Sequence, residues 1–154
     1  MRLLLAGCLA LSATTARAQT AEAPLSTRVN PEEGQYLVDA NGMSLYLFKA
    51  DRQGGAGTEP LSACEETACV GTWPPLVADG RPVGDDTIDA GLLGTMTRGD
   101  GIEQVTYNGW PLYYYFEDYE PGDINGDDIE SFGEDWYLIG PNGDRARRDG
   151  RDDD

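Results

Sequence analysis

The chain contains no histidine at all, and only one of its 11 basic residues, Lys49, is a lysine. Without histidine there is no Ser-His-Asp or Cys-His catalysis, no His-bearing zinc or blue-copper site, and no commonest general base near neutrality. Walker loops, dinucleotide fingerprints and Gly-x-Ser-x-Gly elbows are also missing. Positive charge is scarce: 28 acidic residues give a net charge of −17. Such a surface repels phosphate backbones, which argues against nucleic acid as a partner, and it disfavours anionic membrane surfaces. Sustained 3.6-residue periodicity is absent, so little helix is expected.

Long apolar runs are lacking too. The longest, residues 3–13, is too short to span a bilayer. It follows Arg2 and precedes Ala16-Arg17-Ala18, so residues 1–18 read as a secretory signal peptide cut after Ala18. Loss of Arg2 and Arg17 leaves 9 basic residues against 28 acidic ones. Leu5-Ala6-Gly7-Cys8 resembles a lipidation box. The apolar stretch before Cys8 is too brief and the residues after it stay apolar, so chance within the leader is the favoured reading. A lipid anchor at Cys8 is the alternative. The body is expected to be exported and to function outside the cytoplasm, in the periplasm or beyond.

What is present is a duplication. Asn41-Gly42-Met43-Ser44-Leu45-Tyr46-Leu47-Phe48-Lys49-Ala50-Asp51 returns at a constant offset of 67 as Asn108-Gly109-Trp110-Pro111-Leu112-Tyr113-Tyr114-Tyr115-Phe116-Glu117-Asp118. An Asn-Gly pair before an apolar run signals a type I′ turn feeding a strand, with both turn residues at positive φ. The first aromatic strand is apolar on both faces, so it is covered on both sides or lines a groove. Each repeat reads as strand, Asn-Gly turn, aromatic strand, polar loop and a strand led by Trp73 or Trp136. The predicted fold is all-β: two tandem pseudo-symmetric antiparallel units packed as one sandwich- or barrel-like domain. Residues 19–33 are a flexible lead-in and 34–144 the two-repeat domain. Repeat one covers about 34–78 and repeat two about 101–141, with a disordered charged tail at 145–154.

Several groups are candidates for function. Tyr46 with Asp51 and Tyr113 with Asp118 could form a paired groove across the two-fold, where rings stack and carboxylates fix polar groups. The plainer reading has each Asp bonding a local turn and each Tyr packing inward with its hydroxyl satisfied. Trp73, Trp110 and Trp136 read as core or edge packing rather than a binding platform. Cys64 and Cys69 follow an export signal, so a structural disulfide leads; Glu65 and Glu66 between them oppose a redox thiolate. Asp123, Asn125, Asp127 and Glu130 resemble the spacing of a calcium loop, although the glycine comes too early for an EF-hand.

These residues carry a family resemblance. Tyr46, Phe48 and Asp51, then Tyr113, Tyr115 and Asp118, resemble the Tyr-x-aromatic-x-x-Asp mark of a secreted repeat of unknown function found in bacterial predicted lipoproteins. Cys64, Cys69 and Trp73-Pro74-Pro75-Leu76 resemble its Cys…Cys…Trp-Pro-Pro segment. The resemblance covers roughly residues 34–141 and implies no specific activity. The function expected is an exported, non-catalytic cell-envelope module that binds a small ligand or an envelope protein. The alternatives are a periplasmic redox or stress-response protein using Cys64 and Cys69, and a calcium-binding structural protein.

Overall fold

The computed structural model describes residues 24–147. The signal peptide, Cys8 and the tail beyond 147 lie outside the described residues. In chain order the elements are β1 (Ser26–Asn30), β2 (Gly34–Val38), β3 (Tyr46–Phe48), α1 (Thr67–Thr72), β4 (Leu93–Thr97), β5 (Glu103–Tyr107), β6 (Trp110–Pro111), β7 (Ile129–Ser131) and β8 (Glu134–Leu138). They form three antiparallel sheets, ordered β1-β2, β3-β8-β7 and β4-β5-β6. The all-β prediction with little helix holds.

The duplication reaches further than the motif. β1 and β4 are themselves 67 residues apart, each the first arm of a hairpin with β2 and β5. Residues 26–30 are therefore a strand, not a flexible lead-in. The small polar composition misled, because β1 is held by its backbone ladder and by buried Leu25. The Leu25 N–H donates to the Val83 carbonyl, and its own carbonyl accepts from the Asp85 N–H.

The two repeats are interlocked at an approximate two-fold. Tyr46 and Tyr113 face one another, each N–H donating to the other's carbonyl at 3.0 Å. Beyond this pair the repeats exchange their last segments. Tyr46 lies opposite Leu138, and Tyr113 opposite Pro75. The Trp-led segment of each repeat therefore pairs with the aromatic segment of the other. A ring of three backbone bonds closes each half. Leu37 donates to Ile139, Ile139 to Leu45 and Leu45 to Leu37, while Val105 donates to Leu76, Leu76 to Leu112 and Leu112 to Val105. The prolines at 74 and 75 fit because they need only accept: the Pro74 carbonyl takes the Tyr114 N–H.

Alternation along β3 divides the interior in two. Leu45 and Leu47 enter a mainly aliphatic cluster with Leu37, Val105 and Leu112. Tyr46 and Phe48 enter an aromatic cluster with Trp73, Tyr113, Tyr115 and Trp136. At its centre the Trp73 and Trp136 rings, one from each repeat, stack 4.0 Å apart with planes 1° from parallel. Tyr46 meets Trp73 edge-on at 5.5 Å, and Tyr113 meets Trp136 edge-on at 5.1 Å. Each such pair contributes about 0.5–1.5 kcal/mol beyond its buried area.

Three local expectations are corrected. Only the second Asn-Gly is a turn with both residues at positive φ, Asn108 at 49° and Gly109 at 77°. In the first, only Gly42 is positive (φ 82°), and the Gly42 N–H bonds back to the Asp39 carbonyl. The Asp39 carboxylate accepts from the Asn41 and Met43 N–H groups, which selects a three-residue loop instead. Within the stretch expected to be a polar loop ahead of Trp136 lies β7, joined to β8 through Phe132-Gly133 with both residues at positive φ. Nor does the domain stop at 144. Ala146 is buried and its N–H donates to the Leu138 carbonyl, while Arg145 pairs with Ile139.

Candidate functional site

Tyr46 opens β3 and Tyr113 lies two residues past β6, both fully buried, and each motif aspartate follows five residues later. The strand crossing then brings each tyrosine to the aspartate of the other repeat. The Tyr46 hydroxyl donates to Asp118 Oδ2 at 2.6 Å, and the Tyr113 hydroxyl to Asp51 Oδ2 at 2.8 Å. The second carboxylate oxygens accept backbone N–H groups from Ala63 at Asp51 and Asn125 at Asp118. Both tyrosines are 0 % exposed, Asp51 is 6 % and Asp118 8 % exposed. These residues do not open onto a groove, because they are interior and occupied with one another. The packed reading of the tyrosines describes them better, but the aspartates do not bond the turn that ends their strand: each carboxylate takes an N–H from farther along its loop and the tyrosine of the opposite repeat, a partner that the sequence did not reveal.

One half of this cross carries extra polar groups. Tyr113 also meets Ser62 Oγ at 2.8 Å, and Ser62 accepts from Arg98 Nη1. Arg98 is buried and donates further to Gln104 Oε1 and the Cys64 carbonyl. Burial pushes the Asp51 carboxyl up to about 7, against the downward pull of the Ala63 N–H, the Tyr113 hydroxyl and Arg98. Burial likewise raises Asp118, with Tyr46 and Asn125 opposing. Both tyrosine hydroxyls are held far above their ordinary value, first by burial, so they stay protonated donors. The arrangement is a buried clamp in which each tyrosine hydroxyl is tied to the carboxylate of the other repeat.

The remaining candidates divide. Cys64 and Cys69 are bonded, 0 % and 3 % exposed, around the start of α1. A buried bond offers no sulfur to an attacking thiol, so the geometry is that of a staple for the loop before Trp73. Phe48, Tyr115, Trp73 and Trp136 are core, and Trp110 belongs to the aliphatic cluster. The acidic loop folds on its own backbone. Asp123 Oδ2 accepts from the Tyr119 and Glu120 N–H groups, Asp127 Oδ1 accepts from Leu138 N–H, and the Asn125 amide donates to the Glu117 carbonyl. Glu130 is exposed on β7 opposite Asp135. The structure does not bring these four together as ligands, and among the described residues no group of three or more His, Cys, Asp or Glu side chains is placed to hold a metal.

An open concavity lies elsewhere. A cleft of about 1260 Å³ runs between the β1–β2 hairpin, the end of β3, β8 and residues 140–147. Lys49, Trp110, Tyr137, Arg145 and Arg147 line it. The Lys49 ammonium sits 5.1 Å from the Trp110 ring centre, and the Arg145 guanidinium lies 3.8 Å over the Tyr137 ring. Sequence reasoning missed this face, since its residues come from five separate stretches. The isolation of Lys49 as the sole lysine, one residue past an aromatic strand, was the available signal.

The family model described as "Secreted repeat of unknown function" matches residues 27–77 and 94–139. The chain belongs to this family. The two matched copies begin 67 residues apart, at β1 and β4, and end with the Trp-led segments. In this secreted-repeat protein the Tyr and Asp marks are thus the points where one copy fastens to the other. The family's description supports export. No curated protein and no solved structure matches the chain. None of its described helices is long and apolar enough to cross a membrane.

Proposed function

We propose that this secreted-repeat protein is a non-catalytic binding module of the cell envelope, periplasmic in its working location, with the cleft beside Lys49 and Tyr137 as its ligand face. The observation that carries this reading is the contrast between two places. The motif residues are buried and satisfied by one another, whereas the cleft is open, polar and floored by aromatic rings. A ligand site needs a concavity with a few convergent polar groups, and the cleft meets that description. The clamp supplies the rigid support on which such a face is held.

The test is amide chemical-shift mapping of the isotope-labelled protein against a panel of neutral, acidic and basic sugars and amino acids at millimolar concentration. Perturbations grouped at Gln35, Lys49, Tyr137 and Asn142 are expected. Perturbations centred on Ser62, Ala63 and Asn125 would return the site to the motif, and a silent panel would count against a small-ligand module.

A further inference from the structure

The charge of the cleft is opposite to that of the molecule. Among the described residues, three basic side chains (Lys49, Arg145 and Arg147) line it against one acid, Asp144. Two of the cations are held there by structure. Lys49 and Arg145 each lie against an aromatic ring, which favours the charged head over the ring face. Tyr137 is itself oriented by its hydroxyl, which donates to Asp135 Oδ2 at 3.0 Å. Asp128 Oδ1 approaches Arg145 Nη2 at 3.5 Å, at an exposed position, and engages one edge of a guanidinium that has five donors. The rim adds neutral hydrogen-bonding groups from Asn30, Gln35 and Asn142.

From this we infer that the cleft binds a polar oxyanion ligand, carboxylated or phosphorylated, with Lys49 and Arg145 as its anion-holding residues. The inference rests on the cleft being the ligand face. A remote acidic surface does not forbid it. At physiological ionic strength charges beyond about 8 Å are largely screened, while cations in contact with the ligand are not. The volume exceeds the roughly 300–1,000 Å³ of a single small-molecule pocket, which suits a short chain with more than one acidic group.

The experiment is calorimetric titration of the full chain with three probes at fixed ionic strength: trigalacturonate for carboxylates, tripolyphosphate for phosphates, and maltotriose as the neutral control. Binding of at least one acidic probe is expected, and which one binds tighter assigns the source of the oxyanion. Lys49→Gln should weaken it roughly tenfold, and Lys49→Gln/Arg145→Gln roughly a hundredfold, as expected for charge-assisted hydrogen bonds. Lys49 is exposed and Arg145 half-buried against Tyr137, so both variants should still melt in one cooperative transition, the double variant slightly lower. A third variant, Gln35→Trp, obstructs the cleft without touching a cation. Acidic probes bound equally by parent and double variant would overturn the oxyanion inference. If maltotriose binds as tightly as the acids and only Gln35→Trp abolishes it, the cleft reading survives and the oxyanion one falls. If no probe binds the parent, both fall.

Discussion

Removal of the Tyr46 hydroxyl tests the exchange of bonds between repeats most locally. Tyr46→Phe keeps the ring against Trp73 and Tyr115 but deletes the bond to Asp118 and the acceptor for the Gly126 N–H. Hydrogen bonds to charged groups contribute about 1.5–3 kcal/mol, and orphaning a buried partner adds to the loss. A destabilisation of about 2–3 kcal/mol follows, or a fall in Tm of roughly 7–12 °C for a domain of this size. The decisive assay is a pair of double-mutant cycles read by urea denaturation. Tyr46→Phe with Asp118→Asn should show a coupling above about 1 kcal/mol. Tyr46→Phe with Asp51→Asn, the partner within its own repeat, should be additive within about 0.5 kcal/mol. Coupling to Asp51 instead of Asp118 would refute the crossed arrangement.

Two further predictions concern the same core. Asp51 has a folded value of about 7 against an ordinary 3.8, so the folded protein binds a proton that the unfolded chain gives up. Its contribution is fully present below about pH 4 and is lost as pH rises through 7, a span of about 4 kcal/mol at most. Asp51→Asn, which can still accept from Ala63 and donate to Tyr113, should flatten the stability profile over that window; an unchanged slope would contradict the buried, proton-holding carboxyl. Reduction of Cys64–Cys69 should be slow under native conditions and, once forced in mild urea, lower stability by about 2 kcal/mol, since the closed loop is short. Rapid, reversible reduction at the potential of a thiol oxidoreductase would restore the redox reading.

How much of this was legible in the chain depends on which contacts are local. The duplication, the two-faced apolar strand at Tyr46–Phe48 and the strand holding Trp136 were readable, because periodicity and a repeated motif are patterns of the sequence itself; the Trp73 segment forms only isolated bridges at Pro75 and Val77. β1 could have been found by carrying that offset back from residues 92–98 to 25–31, where composition alone suggested a loop. The β7–β8 turn was hidden because Phe132 stands where Asn or Gly is usual at positive φ. The crossing of Tyr46 to Asp118 was not readable. Two identical motifs allow within-repeat and between-repeat pairing equally, and only the path of the loops decides. The cleft was invisible for the same reason, since Lys49, Trp110 and Arg145 are made neighbours by the exchange of strands.

That exchange is most directly tested by dividing the chain between residues 80 and 81 and purifying the halves. Trp73 and Trp136 lie one in each half and stack only when both are present, so their coupled circular-dichroism signal reports assembly. Neither half should melt cooperatively as a monomer, and mixing them should restore both the tryptophan signal and a single cooperative transition. A half that folds as a stable monomer on its own would contradict the interlocked fold.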